Sequence, residues 1–204
     1  MRSYSACSWI TILGALIGLA LVPVSVVSPG LAAGDLYELL KQPGHIAFMR
    51  HAWAPFEGAP RGMEITAETL GPCETQRNLD EQGRSDARRI GELFNRKGIT
   101  FDAVYASTWC RTRETAELIV GRAVENLPLI NSFYTDPDKA KGPAQIARLK
   151  AYLNTGIDRK ARLLLVTHGS LITALTGIDT DEAEVVVVKA DGEGGIIVVV
   201  RGVP

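Results

Sequence analysis

The chain has 204 residues, and its 22 basic and 23 acidic side chains leave a formal net charge of -1 at pH 7. Because the two signs are mixed along the sequence, the composition argues against a nucleic-acid-binding surface, although a neutral protein can still hold a locally cationic pocket. No long low-complexity segment or internal repeat occurs, and the length predicts one ordinary globular domain.

The first 33 residues have the composition of an export signal. Arg2 is the one charged residue before Asp35, and an apolar run from Trp9 to Val27 is followed by small residues. This order is typical of a cleaved signal peptide, and the run is also long enough for a single transmembrane anchor. We therefore predict a signal peptide or anchor at 1–33, a mature domain at 34–204, and a periplasmic or secreted protein that contacts a membrane only through an uncleaved N-terminal segment.

Three cysteines occur, and Cys7 lies within the predicted signal. Cys73 and Cys110 then remain in the mature domain. In an oxidising compartment two cysteines predict one disulfide bond, with two buried free thiols as the alternative.

The mature domain begins with a short helix, a buried strand and a long loop. Leu36, Leu39 and Leu40 share one helical face before a Pro-Gly stop, and the apolar run 46–49 is typical of a strand. Residues 52–77 are rich in Gly, Pro, Thr and Glu without a period. They predict a long loop, and such loops in compact domains are usually functional.

An amphipathic helix follows the loop, with Asp80 as its N-cap and Gly98 as its end. Strands and helices then alternate to the C-terminus. They are a strand at 101–107, a helix at 111–121, a weaker strand at 124–130, a helix marked by Ile146, Leu149 and Leu153 with Pro143 near its start, a strand at 161–168, a helix at 169–177, and a hairpin around Asp191-Gly192. This alternation predicts an α/β domain whose central sheet is mostly parallel.

Three of the predicted strands end in residues suited to an anion. The first ends in Arg50 and His51, the second leads to Arg111 at a helix start, and the fourth ends in His168, again before a helix. Parallel strands bring their carboxyl ends to one edge of the sheet, where such folds bind ligands. Arginine matches phosphate oxygens with its planar fork, and a neutral histidine nitrogen is a nucleophile near pH 7. With no evident carboxylate to neutralise them, these four residues predict a phosphate site.

Competing chemistries lack their motifs. The sequence contains no G-x-x-x-x-G-K-S/T loop, no G-x-G-x-x-G behind a strand and no H-E-x-x-H, and its histidines are few for a zinc site. A cysteine phosphatase requires an arginine six positions after its cysteine, and the positions six after Cys73 and Cys110 hold Leu79 and Ala116. We therefore expect no cofactor and no metal.

Four blocks of the sequence resemble the histidine phosphatase superfamily, in its phosphoglycerate-mutase-like branch. They are FMRHA, NLDEQGRSDARRIGELF, VYASTWCRTRETAE and LLLVTHGSLI, in the family's order between about residues 45 and 176. The resemblance implies a three-layer α/β/α sandwich with a mostly parallel central sheet, and a phosphatase that needs no metal. It also implies that His51 becomes a phosphohistidine while Arg50, Arg111 and His168 hold the phosphoryl group.

The sequence departs from the family pattern at several positions. Ala52 stands where the family more often has glycine, and the residues after it do not match the substrate loop of the mutases, which argues against mutase activity. His168 is followed by Gly169 instead of aspartate, which argues against the acid-phosphatase and phytase branch. An exported short member is loosely similar to the periplasmic lipopolysaccharide-core heptose phosphatases, so we expect a small phosphorylated substrate such as a phosphorylated sugar or glycan.

The proton donor is the least defined member of the site. The family often supplies a carboxylate after the third strand, which here indicates Asp136, held extended by the proline that follows it. The alternatives lie in the long loop: Glu57, Glu64 and Glu74.

Together these features predict a phosphomonoester phosphatase that forms a phosphohistidine on His51 and hydrolyses it with water. One alternative is a phosphate or phospho-ligand binding protein that uses the same pocket with weak or no turnover. Another is phosphotransfer with protein histidines, for which export would leave few partners.

Overall fold

The computed structural model describes residues 33–56, 70–133, 138–158 and 160–204, in which helices and strands alternate. The helices are α1 (Ala33–Leu40), α2 (Glu81–Arg96), α3 (Cys110–Val120), α4 (Asp138–Ala151) and α5 (Gly169–Thr176). The strands are β1 (Ile46–Arg50), β2 (Ala103–Ala106), β3 (Glu125–Asn126), β4 (Leu163–Thr167), β5 (Val185–Ala190) and β6 (Ile196–Gly202). Within these ranges, none of the helices combines the length and the hydropathy needed to cross a membrane.

The six strands form one sheet in the order β3-β2-β4-β1-β5-β6. The four strands from β3 to β1 are parallel, while the hairpin β5–β6 is antiparallel and joins the sheet beside β1. Arg50 pairs with Thr167, and Ala106 pairs with Val166, so β1, β2 and β4 end at the same edge. The predicted convergence of strand ends is therefore confirmed.

Helices cover both faces of the sheet. Ala47 and Met49 of β1 pack in the core beneath α1, α2 and α3, whereas Ile46 and Phe48 pack with α4 and α5 on the other face. Every residue of β4 is buried for the same reason, which explains the uninterrupted apolar run in a strand covered on both sides. The arrangement has three layers, α/β/α, as expected.

Two elements differ from their prediction. The weaker strand expected at 124–130 has only two strand residues, because Pro128 lacks an N–H for the ladder and begins a 3-10 turn, Pro128–Ile130. Pro143, expected near the start of its helix, lies inside α4, which already begins at Asp138.

The first turn of α2 packs against the backbone segment that follows β1. Asp80 is its N-cap, as predicted, and its carboxylate accepts a hydrogen bond of 2.9 Å from the N–H of Gly83. A Cβ atom at position 83 would lie 2.0 Å from the carbonyl oxygen of Trp53. Glycine is therefore required there, because the backbone just after His51 lies directly on the first turn of α2.

Candidate active site

His51 follows the last residue of β1 and is held by its backbone on two sides. Its N–H donates to the carbonyl of Thr167 at 3.0 Å, and its carbonyl accepts from the N–H of Ala183 at 3.2 Å. The side chain is only 3% exposed, and Nδ1 lies 2.7 Å from the carbonyl oxygen of Ala52. Because a carbonyl can only accept, the ring proton is on Nδ1, and Nε2 keeps its lone pair.

The surroundings of His51 keep its imidazole neutral. Burial lowers its pKa well below 6.5, and the neighbouring guanidinium of Arg111 lowers the pKa further, against a smaller opposing effect of the Ala52 hydrogen bond. The charges of Arg77 and Arg50 also lower the pKa of His51. At neutral pH the lone pair on Nε2, which has no hydrogen-bond partner among the described residues, is therefore available for nucleophilic attack.

His168 is the N-cap residue of α5, and both of its ring nitrogens have partners. Nδ1 lies 3.0 Å from Nη2 of Arg111, and Nε2 lies 2.8 Å from Oγ of Ser107. Because an arginine N–H can only donate, Nδ1 accepts, and the proton of the neutral ring is on Nε2 and is donated to Ser107. Burial lowers the pKa of His168 well below its ordinary value, with Arg111 as the next cause.

The Ser107 hydroxyl extends this series of hydrogen bonds into α3. It lies 2.7 Å from the hydroxyl of Thr112, which donates to the carbonyl of Trp109 at 2.7 Å. The imidazole rings of His51 and His168 stand edge to face with their centroids 5.6 Å apart. The two histidines predicted to meet are thus brought together, and each has a defined tautomer.

Arg111 is the second residue of α3 and remains a cation despite its burial. Desolvation lowers its pKa to about 9, with Arg77 and Arg50 as the further causes. In the described part of the chain it has no carboxylate partner, and its buried Nε–H has no hydrogen-bond acceptor. Buried donors without partners are rare in folded proteins, so this one indicates an acceptor that arrives with a ligand.

The expectation that no carboxylate neutralises the site is wrong, because Arg50 contacts Glu182. Its Nη2 lies 2.5 Å from Oε1 of Glu182, and its Nη1 donates to the carbonyl of Thr180. Glu182 lies in the connection between α5 and β5, which passes across the end of β1. Sequence analysis missed Glu182 because 132 positions separate the two partners and no motif marks it.

Arg77, in the loop before α2, is a third arginine at the site that sequence analysis did not identify. Its Nε donates to the carbonyl of Ala54 at 2.7 Å, Nη2 donates to the same oxygen, and its Cζ lies 3.5 Å from the ring centroid of Phe56. Burial lowers the pKa of Arg77, with Arg50 acting in the same direction against a raising effect of Glu182. Its position in a long loop predicted to be functional was the one available signal.

The predicted disulfide is present between Cys73 and Cys110, whose Cα atoms are 5.7 Å apart. It joins the segment that carries Arg77 to the first residue of α3, next to Arg111. A hydrogen bond of 3.0 Å from the N–H of Cys110 to Oε1 of Gln76 supports the same junction.

The predicted proton donor, Asp136, lies outside the described residues, as do Glu57 and Glu64. Glu74 lies in a 3-10 turn, Cys73–Thr75, and is exposed. No cluster of three histidine, cysteine, aspartate or glutamate residues suited to a metal ion occurs among the residues that the structure describes.

Sequence comparison confirms the resemblance that the motifs predicted. The model of the histidine phosphatase superfamily (branch 1) matches residues 68–132. A 2,3-bisphosphoglycerate-dependent phosphoglycerate mutase from Azorhizobium caulinodans is 42% identical over 43 residues, which cover 21% of this chain and 21% of that enzyme. The match thus spans about a fifth of the length of this curated relative.

Solved structures with the same fold include several phosphatases. The protein histidine phosphatase SixA complexed with tungstate has a TM-score of 0.54 at 18% identity, over 78% of this chain and 97% of that one. A phosphoserine phosphatase from Entamoeba histolytica has a TM-score of 0.53 at 15% identity, over 77% and 95%. A mycobacterial glucosyl-3-phosphoglycerate phosphatase has a TM-score of 0.56 at 12% identity, over 78% and 99%. At these identities the likeness is one of fold, and it confirms the predicted phosphoglycerate-mutase-like architecture.

Proposed function

We propose that this protein hydrolyses phosphomonoesters in two steps through a phosphohistidine on His51. The observation that carries the proposal is a neutral, buried imidazole whose Nε2 has no hydrogen-bond partner in the described residues, with three guanidinium groups around it. Nε2 attacks phosphorus in line, the bond to the leaving oxygen breaks, and that oxygen leaves with the electron pair and takes a proton. Water then attacks the phosphohistidine and releases inorganic phosphate, which restores the imidazole.

Arg50 and Arg111 would stabilise the charge on the equatorial oxygens of the transferring group. Both have buried Nε–H donors without partners in the described residues, and both are oriented by other contacts. The Arg50 donor is already in place through its contacts with Thr180 and Glu182, and it needs no reorganisation when charge develops in the transition state. This preorganisation is the main electrostatic contribution that the site offers.

His168 would act through a change of tautomer. When a phosphoryl oxygen occupies the site, the Arg111 N–H that now donates to Nδ1 turns to the oxygen. The Ser107 hydroxyl then donates to Nε2 instead of accepting from it, and the ring proton is carried on Nδ1, facing the anion. His168 becomes a donor to phosphate without taking up a net proton, which suits a buried ring.

Asp136 remains our proposal for the proton donor, and leaving-group dependence tests it. Asp136→Asn should slow alkyl phosphates far more than p-nitrophenyl phosphate, whose leaving group barely needs a proton. If the substitution slows both substrates equally, or neither, the donor lies elsewhere, and Glu57 is the next candidate.

Export and a phosphorylated sugar or glycan as substrate belong to the same proposal. The order of charged, apolar and small residues before position 34 supports export, and so does a disulfide, because such bonds persist in oxidising compartments. N-terminal sequencing of protein from fractionated cells distinguishes a cleaved signal from a retained anchor. A panel of phosphomonoesters tests the substrate class.

The decisive experiment is turnover of p-nitrophenyl phosphate by the wild type and His51→Ala. We expect the variant to stay folded and to lose several orders of magnitude in rate, because the nucleophile is gone. Arg88→Gln, which removes an exposed cation of α2, is the matched control. Residual activity within about tenfold of the wild type, ~1.4 kcal/mol of barrier, would contradict the assignment.

Two further results would redirect the proposal. Tight binding of phosphate by a wild type that releases none from any ester would favour the binding-protein alternative. Loss of activity with a chelator, restored by added metal, would contradict a metal-independent mechanism.

A further inference from the structure

The charges at the candidate site do not balance within the described residues. Glu182 compensates Arg50 through a contact of 2.5 Å, whereas Arg111 and Arg77 have no carboxylate partner there. Both histidines are held neutral, so they add no charge. Three guanidinium groups therefore share one carboxylate, Glu182, which leaves a net charge of about +2, and a phosphomonoester carries up to about two negative charges near neutral pH.

Arg77 is held in one orientation. Its Nε and Nη2 donate to one oxygen, the carbonyl of Ala54, and one face of its guanidinium lies 3.5 Å from the centroid of Phe56. Phe56 is 75% exposed, so the ring adds little to the core and acts mainly as a surface for the guanidinium. These contacts leave the Nη1 donors of Arg77 without a hydrogen-bond partner in the described residues.

Arg77 adds positive charge to a site that already holds the buried cation of Arg111. Arg77 is close enough to lower the pKa of Arg111 and of both histidines through its charge. A side chain that served only to hold the loop at Ala54 could do so with an uncharged donor. The repulsion is relieved when an anion lies among the arginines, since Arg suits phosphate by its planar geometry and its permanent charge.

We propose that Arg77 is a phosphate-binding residue of this site, which pairs with Arg111 to match the two charges of a phosphomonoester dianion. This inference rests on the proposed phosphatase function. It assigns the site to dianionic monoesters and makes it a poor site for singly charged diesters. The loop between the disulfide and α2 thereby contributes to substrate selection.

Binding of two anions that differ by one charge tests the proposal at a fixed pH near 7.5. Sulfate and methyl sulfate are both tetrahedral and are not substrates, and calorimetry or protection against thermal unfolding measures their affinity without turnover. We expect Arg77→Gln to weaken the binding of sulfate by about 10- to 100-fold, as for the loss of a charge-assisted hydrogen bond. The binding of methyl sulfate should weaken by much less. Glutamine retains a donor for the Ala54 carbonyl, so the loop keeps its support.

Two variants complete the test. Arg77→Lys keeps the charge and should keep the preference for sulfate within a few-fold, and it also serves if the glutamine variant fails to fold. Arg88→Gln, on the exposed face of α2, should leave both affinities unchanged.

If Arg77→Gln weakens the binding of both anions equally, or of neither, the proposed role of Arg77 is overturned. A wild type that binds neither phosphate nor sulfate and hydrolyses no monoester would instead overturn the proposed function. A wild type that hydrolyses monoesters while Arg77→Gln leaves the anion preference intact would overturn this inference alone.

Discussion

The disulfide between Cys73 and Cys110 should stabilise both the fold and the candidate site, and its removal gives a measurable prediction. The variant Cys73→Ser/Cys110→Ala opens a loop whose ends are 37 positions apart. In the chain-entropy model, closing a loop of that length contributes ~4 kcal/mol to the free energy of unfolding. For a domain of this size, each kcal/mol shifts the thermal midpoint by roughly 2–4 °C, so a fall of roughly 8–16 °C is expected.

Thermal unfolding of the protein, with and without a reductant, measures this effect. The wild type should lose stability on reduction, while the double variant should not respond to the reductant. A fall of less than about 3 °C in the double variant would refute the stated contribution of the bond, since it corresponds to roughly 1 kcal/mol. An equal response of both proteins to the reductant would show that the reductant acts elsewhere.

The same disulfide should affect the turnover of p-nitrophenyl phosphate at temperatures where the variant is still folded. It joins the segment of Arg77 to the helix start that carries Arg111, so its loss should raise KM more than it lowers kcat. Unchanged kinetics in the folded variant would show that the hydrogen bond between Cys110 and Gln76 is sufficient to hold the junction.

Three other predictions follow from the hydrogen bonds and charges of the site. Because the folded pKa of His51 is depressed, the unfolded state takes up a proton below pH ~6.5 that the folded state does not. As the pH falls, this group alone should lower the free energy of unfolding by up to ~1.4 kcal/mol per pH unit, in addition to the contribution of His168. His51→Gln should therefore show a shallower slope in denaturant titrations at about pH 7 and 5.5. Ser107→Ala leaves the buried Nε2–H of His168 unpaired and should lower kcat by about 10- to 100-fold in a folded protein, whereas an unchanged kcat would exclude the tautomer change. Glu182→Gln keeps a hydrogen-bond acceptor for Arg50 but removes its negative charge partner. Inorganic phosphate should then inhibit turnover at a several-fold lower concentration. Weaker inhibition would contradict the idea that Glu182 offsets part of the positive charge of the site.

Local sequence patterns determined the fold class and four members of the candidate site. The apolar runs of β1 and β4 require strands covered on both faces, and their alternation with amphipathic helices requires crossover connections and parallel pairing. Parallel pairing in turn brings the strand ends together, so the four residues at or after those ends had to meet at one edge: Arg50, His51, Arg111 and His168. This conclusion depends only on periodicity and chain order, which a single sequence contains.

The tertiary structure alone decided how those residues are charged and oriented. Glu182 reaches Arg50 across 132 positions, and Arg77 reaches the site from an irregular loop, so neither contact has a local signature. The tautomers of His51 and His168 depend on one carbonyl and one guanidinium that happen to lie within hydrogen-bonding distance of a ring nitrogen. Hydrogen-bond geometry and desolvation act over a few ångströms in space, whatever the separation in sequence, and the reactivity of the imidazole is therefore a property of the folded chain.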